Sequence, residues 1–173
     1  MPPPWCCWTR ATSSRRRPEA ALRGALLAAL ALIPAACTPT PPSGRGLNKD
    51  ALDDAIAEVI GDPDTCVLLA DRATKQVVYR YGEHMTCARS LPACDRPGRL
   101  TAQDALAFAE TPDGRTASCA SNPEVTRGVA WAEGKVESDK RDLIYSAVME
   151  GQRALPGREI AVRLREALAK AGV

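Results

Sequence analysis

The chain has 173 residues, enough for one domain with a modest core. Lys and Arg total 23 against 21 Asp and Glu, but residues 1–37 carry five Arg and one Glu, leaving 18 basic and 20 acidic groups, a net of −2, on the remainder. A slightly acidic surface excludes the basic footprint that nucleic-acid binding requires.

Arg10, Arg15, Arg16, Arg17 and Arg23 precede the apolar run of residues 24–36, GALLAALALIPAA. Thirteen residues are too few to cross a bilayer, which takes ~20. Basic residues, a short apolar run and small residues, in that order, predict a secretory signal peptide over residues 1–36. The ending Ala35-Ala36-Cys37 resembles the lipobox of bacterial lipoproteins, with Pro34 where Leu is usual. That resemblance implies that Cys37 becomes the lipidated first residue, and Thr38 in place of Asp implies the periplasmic side of the outer membrane. Cleavage without lipidation would give a soluble periplasmic protein instead. The membrane, through Cys37, is thus one expected partner. The Pro-rich stretch TPTPPSGRG completes a semi-rigid tether over residues 37–47, and residues 48–173 form a single domain.

Cys6 and Cys7 fall in the signal, whereas Cys66, Cys87, Cys94 and Cys119 belong to the domain. An even number of cysteines in an exported domain predicts two disulfides, with three connectivities open. Four thiolates also suit zinc, but no pair has the close spacing of a zinc site, so no metal is expected.

In chain order, Asn48 caps a helix over residues 48–60, with Leu52, Ala55, Ile56, Val59 and Ile60 at helical spacing. Residues 65–71 and 76–81 make a hairpin across the turn at 72–75. Residues 83–126 read as an irregular, cysteine-bearing insertion containing a short helix capped by Thr101 and Asp104. Residues 127–133 and 142–150 read as a second strand pair. The last element, residues 157–171, is amphipathic, with Ile160, Leu164 and Leu168 on its apolar side. The predicted fold class is α+β. It has a small antiparallel sheet of about four strands in the order α-β-β-insertion-β-β-α, both terminal helices on one face, and the first strand beside the last.

Tyr79 and Tyr81 share a strand face, and Trp131 and Tyr145 are placed on the same side. The four are either a binding surface of rigid aromatics or core beneath the helices, with strand alternation favouring core. The opposite parity, with Arg80, Ser146 and Glu150, reads as the wetter face. Its apolar residues Ile144 and Val148 then need the insertion or a partner to cover them. His84 is the single histidine. It is either a general base or ligand beside Met85, or a surface loop residue, and the latter is favoured because no partner group accompanies it.

The stretch CVLLADRATKQVVY, residues 66–79, resembles the first hairpin of serine β-lactamases and penicillin-binding proteins, with Lys75 where Gly is usual. The resemblance implies an antiparallel sheet with terminal helices on one face. The family's chemistry needs Ser-x-x-Lys and Lys-Thr/Ser-Gly, and neither occurs here. No catalytic residue, cofactor or metal is therefore expected. The function read from the sequence is a non-enzymatic, envelope-anchored lipoprotein that binds another envelope component. The alternatives are a small-molecule-binding periplasmic module, using the sheet face or the His84–Arg99 loop, and a degenerate β-lactamase-like protein without activity.

Overall fold

Asn48 starts the first element as its residue type predicts: its side-chain oxygen accepts the Ala51 amide at 3.2 Å, and helix α1 (Lys49–Ile60) follows. The computed structural model describes residues 46–111 and 113–173. The signal at 1–36, Cys37 and nearly all of the tether lie outside the described residues. After α1 come β1 (Thr65–Asp71), β2 (Val77–Tyr81), α2 (His84–Cys87), β3 (Leu91–Pro92), β4 (Arg99–Leu100) and α3 (Ala102–Ala105), which a 3₁₀ turn (Leu106–Phe108) extends. Then follow β5 (Arg115–Ala120), β6 (Gly128–Lys135), β7 (Leu143–Gly151) and α4 (Gly157–Lys170).

The fold is α+β. Five antiparallel strands lie in the order β2-β1-β7-β6-β5, and β3 and β4 form a separate small hairpin. The first strand does pair with the last, Leu69 opposite Tyr145. The sheet has one strand more than expected, because β5 lies inside residues 83–126. Its sequence RTASCA has few strand formers and its burial merely alternates. It is an edge strand with little apolar signal to read.

On one face, Leu52, Ile56 and Ile60 of α1 and Ile160, Leu164 and Leu168 of α4 bury against Val67, Leu69, Ala132, Ala147 and Met149. Burial of each such side chain is worth ~1.5–3 kcal/mol. On the other face, Leu91, Ala102, Ala105 and Leu106 of the insertion cover Leu68, Val129, Ile144 and Val148. That face is not the wet one: Ser146 is 0% and Glu150 3% exposed. The insertion is thus a third layer, and the sheet face on which a small molecule would have docked is covered.

Trp131 does not share a side with the tyrosines. It pairs across the strands with Val148, whereas Tyr145 pairs with Gly134 and Leu69. Trp131 packs under the insertion, and Tyr79 and Tyr145 pack under the helices. Register between strands, not spacing along one strand, decides which face a residue takes.

The disulfides are Cys66–Cys87, joining β1 to α2, and Cys94–Cys119, joining the β3–β4 loop to β5. They close chain separations of 21 and 25 residues and pin the third layer at two points, each worth ~2–4 kcal/mol. In the β1–β2 turn, Asp71 Oδ1 accepts both the Thr74 amide and hydroxyl at 2.8 Å, and Lys75 sits at φ 59°. At the start of α4, the Gly157 amide donates to Ser118 Oγ at 2.9 Å, and a β-carbon on Gly157 would fall 2.2 Å from the Trp131 carbonyl oxygen. Among the described residues no helix is long and apolar enough to cross a membrane.

Candidate functional site

The aromatic residues singled out in the sequence do not converge on one surface. Tyr79 is buried, and its hydroxyl donates to Asp53 Oδ1 at 2.7 Å. Burial, followed by that bond, holds its phenol pKa well above the usual value. Tyr81 is half-buried beside it, against the helix layer. Trp131 is fully buried, and its indole N–H donates to the Pro92 carbonyl at 2.7 Å, so the ring serves as a post for the β3–β4 hairpin.

His84 behaves differently. It opens α2 on the exposed side and rims an open hollow of about 230 Å³ together with Leu68, Arg80, Cys87, Ala88, Thr101 and Gln103. Next to it Met85 is 73% exposed. The disulfide at the base of the hollow occupies the Cys87 sulfur, so no thiol–imidazole pair exists there. The hollow offers a guanidinium, an imidazole, an amide and a hydroxyl around apolar side chains, chemistry suited to recognition by hydrogen bonding. Among the described residues, no three His, Cys, Asp or Glu side chains are grouped to hold a metal ion.

Two arginine–carboxylate clusters that sequence reasoning missed position this layer. In the first, Arg115 of β5 donates to Glu133 Oε1 at 2.7 Å, to Asp95 Oδ1 at 2.6 Å and to the Ala93 carbonyl at 2.5 Å, while Arg96 and Arg115 both lie against the Phe108 ring. Burial pushes the Glu133 carboxyl up to about 7 against the pull of Arg115. Hydrogen bonds from Arg115 and then Arg96 hold Asp95 well below the carboxylate range. Among the described residues, Glu133 Oε2 and the Ser146 hydroxyl, on paired positions of β6 and β7, meet no hydrogen-bond partner.

In the second cluster, Glu150 accepts from Arg127 at 2.7 Å, from Arg89 at 2.8 Å and from the Ser121 hydroxyl at 2.7 Å, and both arginines also reach Asp64. Those bonds, Arg127 first, draw its carboxyl down to about 2 although burial opposes them. Each cluster ties the third layer to the sheet, through Asp95 and Ala93 in one and Arg89 in the other. The signal in the sequence was a lone acid in each of two otherwise apolar strands, Glu133 and Glu150. A carboxylate in such a run requires a cation from elsewhere in the fold. No protein family, no curated protein and no solved structure matches the chain.

Proposed function

We propose that this protein is a non-enzymatic, envelope-anchored lipoprotein whose third layer docks another envelope component. The observation that carries the reading is the use of all four domain cysteines in two disulfides that fasten this layer. Such bridges fit an oxidising compartment and so agree with an export signal and a lipobox-like Cys37. A rigid surface bearing exposed Met85, with Arg80 and His84 at the adjoining hollow, suits docking because little order is lost on binding.

The test has two parts. Intact mass of protein extracted from native membranes should fit residues 37–173 plus a diacyl or triacyl group, with four thiols appearing only on reduction. A photo-crosslinking residue at Met85 should then capture one envelope protein, and Arg80→Glu should abolish the adduct. An unlipidated, full-length chain with free thiols would overturn the anchoring. Absence of any adduct from Met85 would overturn the docking surface.

The sheet with both terminal helices on one face supports a second, narrower reading, a β-lactamase-like scaffold without activity. Labelling by a fluorescent penicillin would refute the inactivity.

A further inference from the structure

The strand registers set one row of side chains across the sheet: Arg115 of β5 opposite Glu133 of β6, then Ser146 of β7, Leu68 of β1 and Arg80 of β2. Directly paired residues point to the same side of a sheet, here the side that the third layer covers. Glu133 and Ser146 are 1% and 0% exposed. Among the described residues, Glu133 Oε2 and the Ser146 hydroxyl meet no hydrogen-bond partner, although the two residues face each other from adjacent strands. Buried polar atoms in folded proteins are almost always paired, so these two mark a place where a partner group belongs.

The two atoms do not satisfy each other because the carboxyl is held elsewhere. Its other oxygen, Oε1, accepts from Arg115 at 2.7 Å, and Arg115 is itself fixed by Asp95 at 2.6 Å and the Ala93 carbonyl at 2.5 Å. The Glu133 side chain is therefore drawn toward β5, while Ser146 lies on its other side, on β7. Directly opposed side chains start from β-carbons about 4.5–5.5 Å apart, a gap that one small group can bridge. Charge limits what that group is. The Arg115 guanidinium disfavours a metal cation or an ammonium beside it, and the Glu133 carboxyl disfavours chloride. A small neutral group that both donates and accepts remains, and it suits either protonation state of a carboxyl that burial pushes up to about 7. Ala102 and Ala105 of α3, both fully buried, bring only short side chains to the layer over this face. Leu68 stands next to Ser146 in the row and lines the His84 hollow, which separates the site from that hollow.

We propose that a single internal water molecule binds between Glu133 and Ser146, hydrogen-bonded to Glu133 Oε2 and to the Ser146 hydroxyl, and joins β6 to β7 beneath the third layer. A water with two protein partners at a buried polar site is a structural element in its own right, and removing it strands both side chains. The site stands on strand register and burial, independently of the docking and anchoring proposals.

The test is a crystal structure of the full chain at atomic resolution, solved for the wild type and for Ser146→Ala and Glu133→Gln. The wild type is expected to show one well-ordered density peak within hydrogen-bond distance of both side chains, without the anomalous signal of a chloride. Glu133→Gln keeps a polar atom at the Oε2 position and should retain the peak. Ser146→Ala removes one of the two partners and should lose it. A direct bond between Glu133 Oε2 and Ser146 Oγ in the wild type would overturn the proposal, as would an ion at the peak or an unchanged peak in Ser146→Ala. The wild-type structure decides the question by itself if either variant fails to fold.

Discussion

Glu133 and Glu150 lie under the same layer, yet their surroundings move them in opposite directions from the ordinary glutamate value of 4.5. Glu133 is raised to about 7, so the native state holds its proton more tightly than the unfolded chain does. Its contribution to stability is full below pH ~4.5 and is lost as pH rises through ~7. Glu150 is lowered to about 2, so its contribution is full above pH ~4.5 and is lost as pH falls through ~2. Urea unfolding from pH 3 to 8 should therefore show a loss of stability toward neutral pH that disappears in Glu133→Gln. Glu150→Gln should instead cost about 2 kcal/mol at pH 7, less than for a fully buried pair because both arginines reach water and keep Asp64.

Lys75 gives a second measurement at this scale. Its φ of 59° lies in the left-handed region that a β-carbon disfavours. Its ion pair with Glu110 is surface-exposed and worth little. Lys75→Gly is expected to raise the unfolding free energy by about 1 kcal/mol in urea. The turn at residues 72–75 was legible in the sequence; the left-handed backbone at Lys75 was not. The Glu133 pairing was not, because Arg115 reaches it from a strand that leaves little pattern in the sequence.

Elements with a strong period were readable. The caps Asn48 and Thr101 and the apolar stripes of α1 and α4 stand where spacing put them, since a helix needs only its own sequence to declare a face. The strands were legible as strands, but their register was not, and so the reading joined Trp131 to the tyrosines. The third layer is the extreme case. It has little regular structure of its own, and its shape follows from two disulfides and two arginine clusters. Replacing Cys94 and Cys119 together by Ser should cost ~2–4 kcal/mol. Hydrogen exchange should show the Ala93, Asp95 and Ser118 amides losing protection while α1 and α4 keep theirs.

At the scale of the described domain, the sheet carries helices on one side and the fastened insertion on the other, and the two halves of its core bury both of its faces. The anchoring proposal makes a prediction at this scale. Cys37→Ala combined with a cleavable signal should move the protein from the membrane fraction to the soluble periplasmic fraction without changing its thermal midpoint, because the described fold begins beyond that residue. A midpoint lowered by the substitution would mean that the anchor is part of the fold. Among the glycines of the described residues, one of the closest backbone approaches is at the start of α4. With the Trp131 carbonyl 2.2 Å from where a side chain would begin, even alanine at Gly157 forces the last helix off the sheet. In a library of all single substitutions selected for folding, this surface-adjacent turn should be as intolerant as the deepest leucine. Lineages descended from this chain can redraw exposed loops by drift, while position 157 stays glycine.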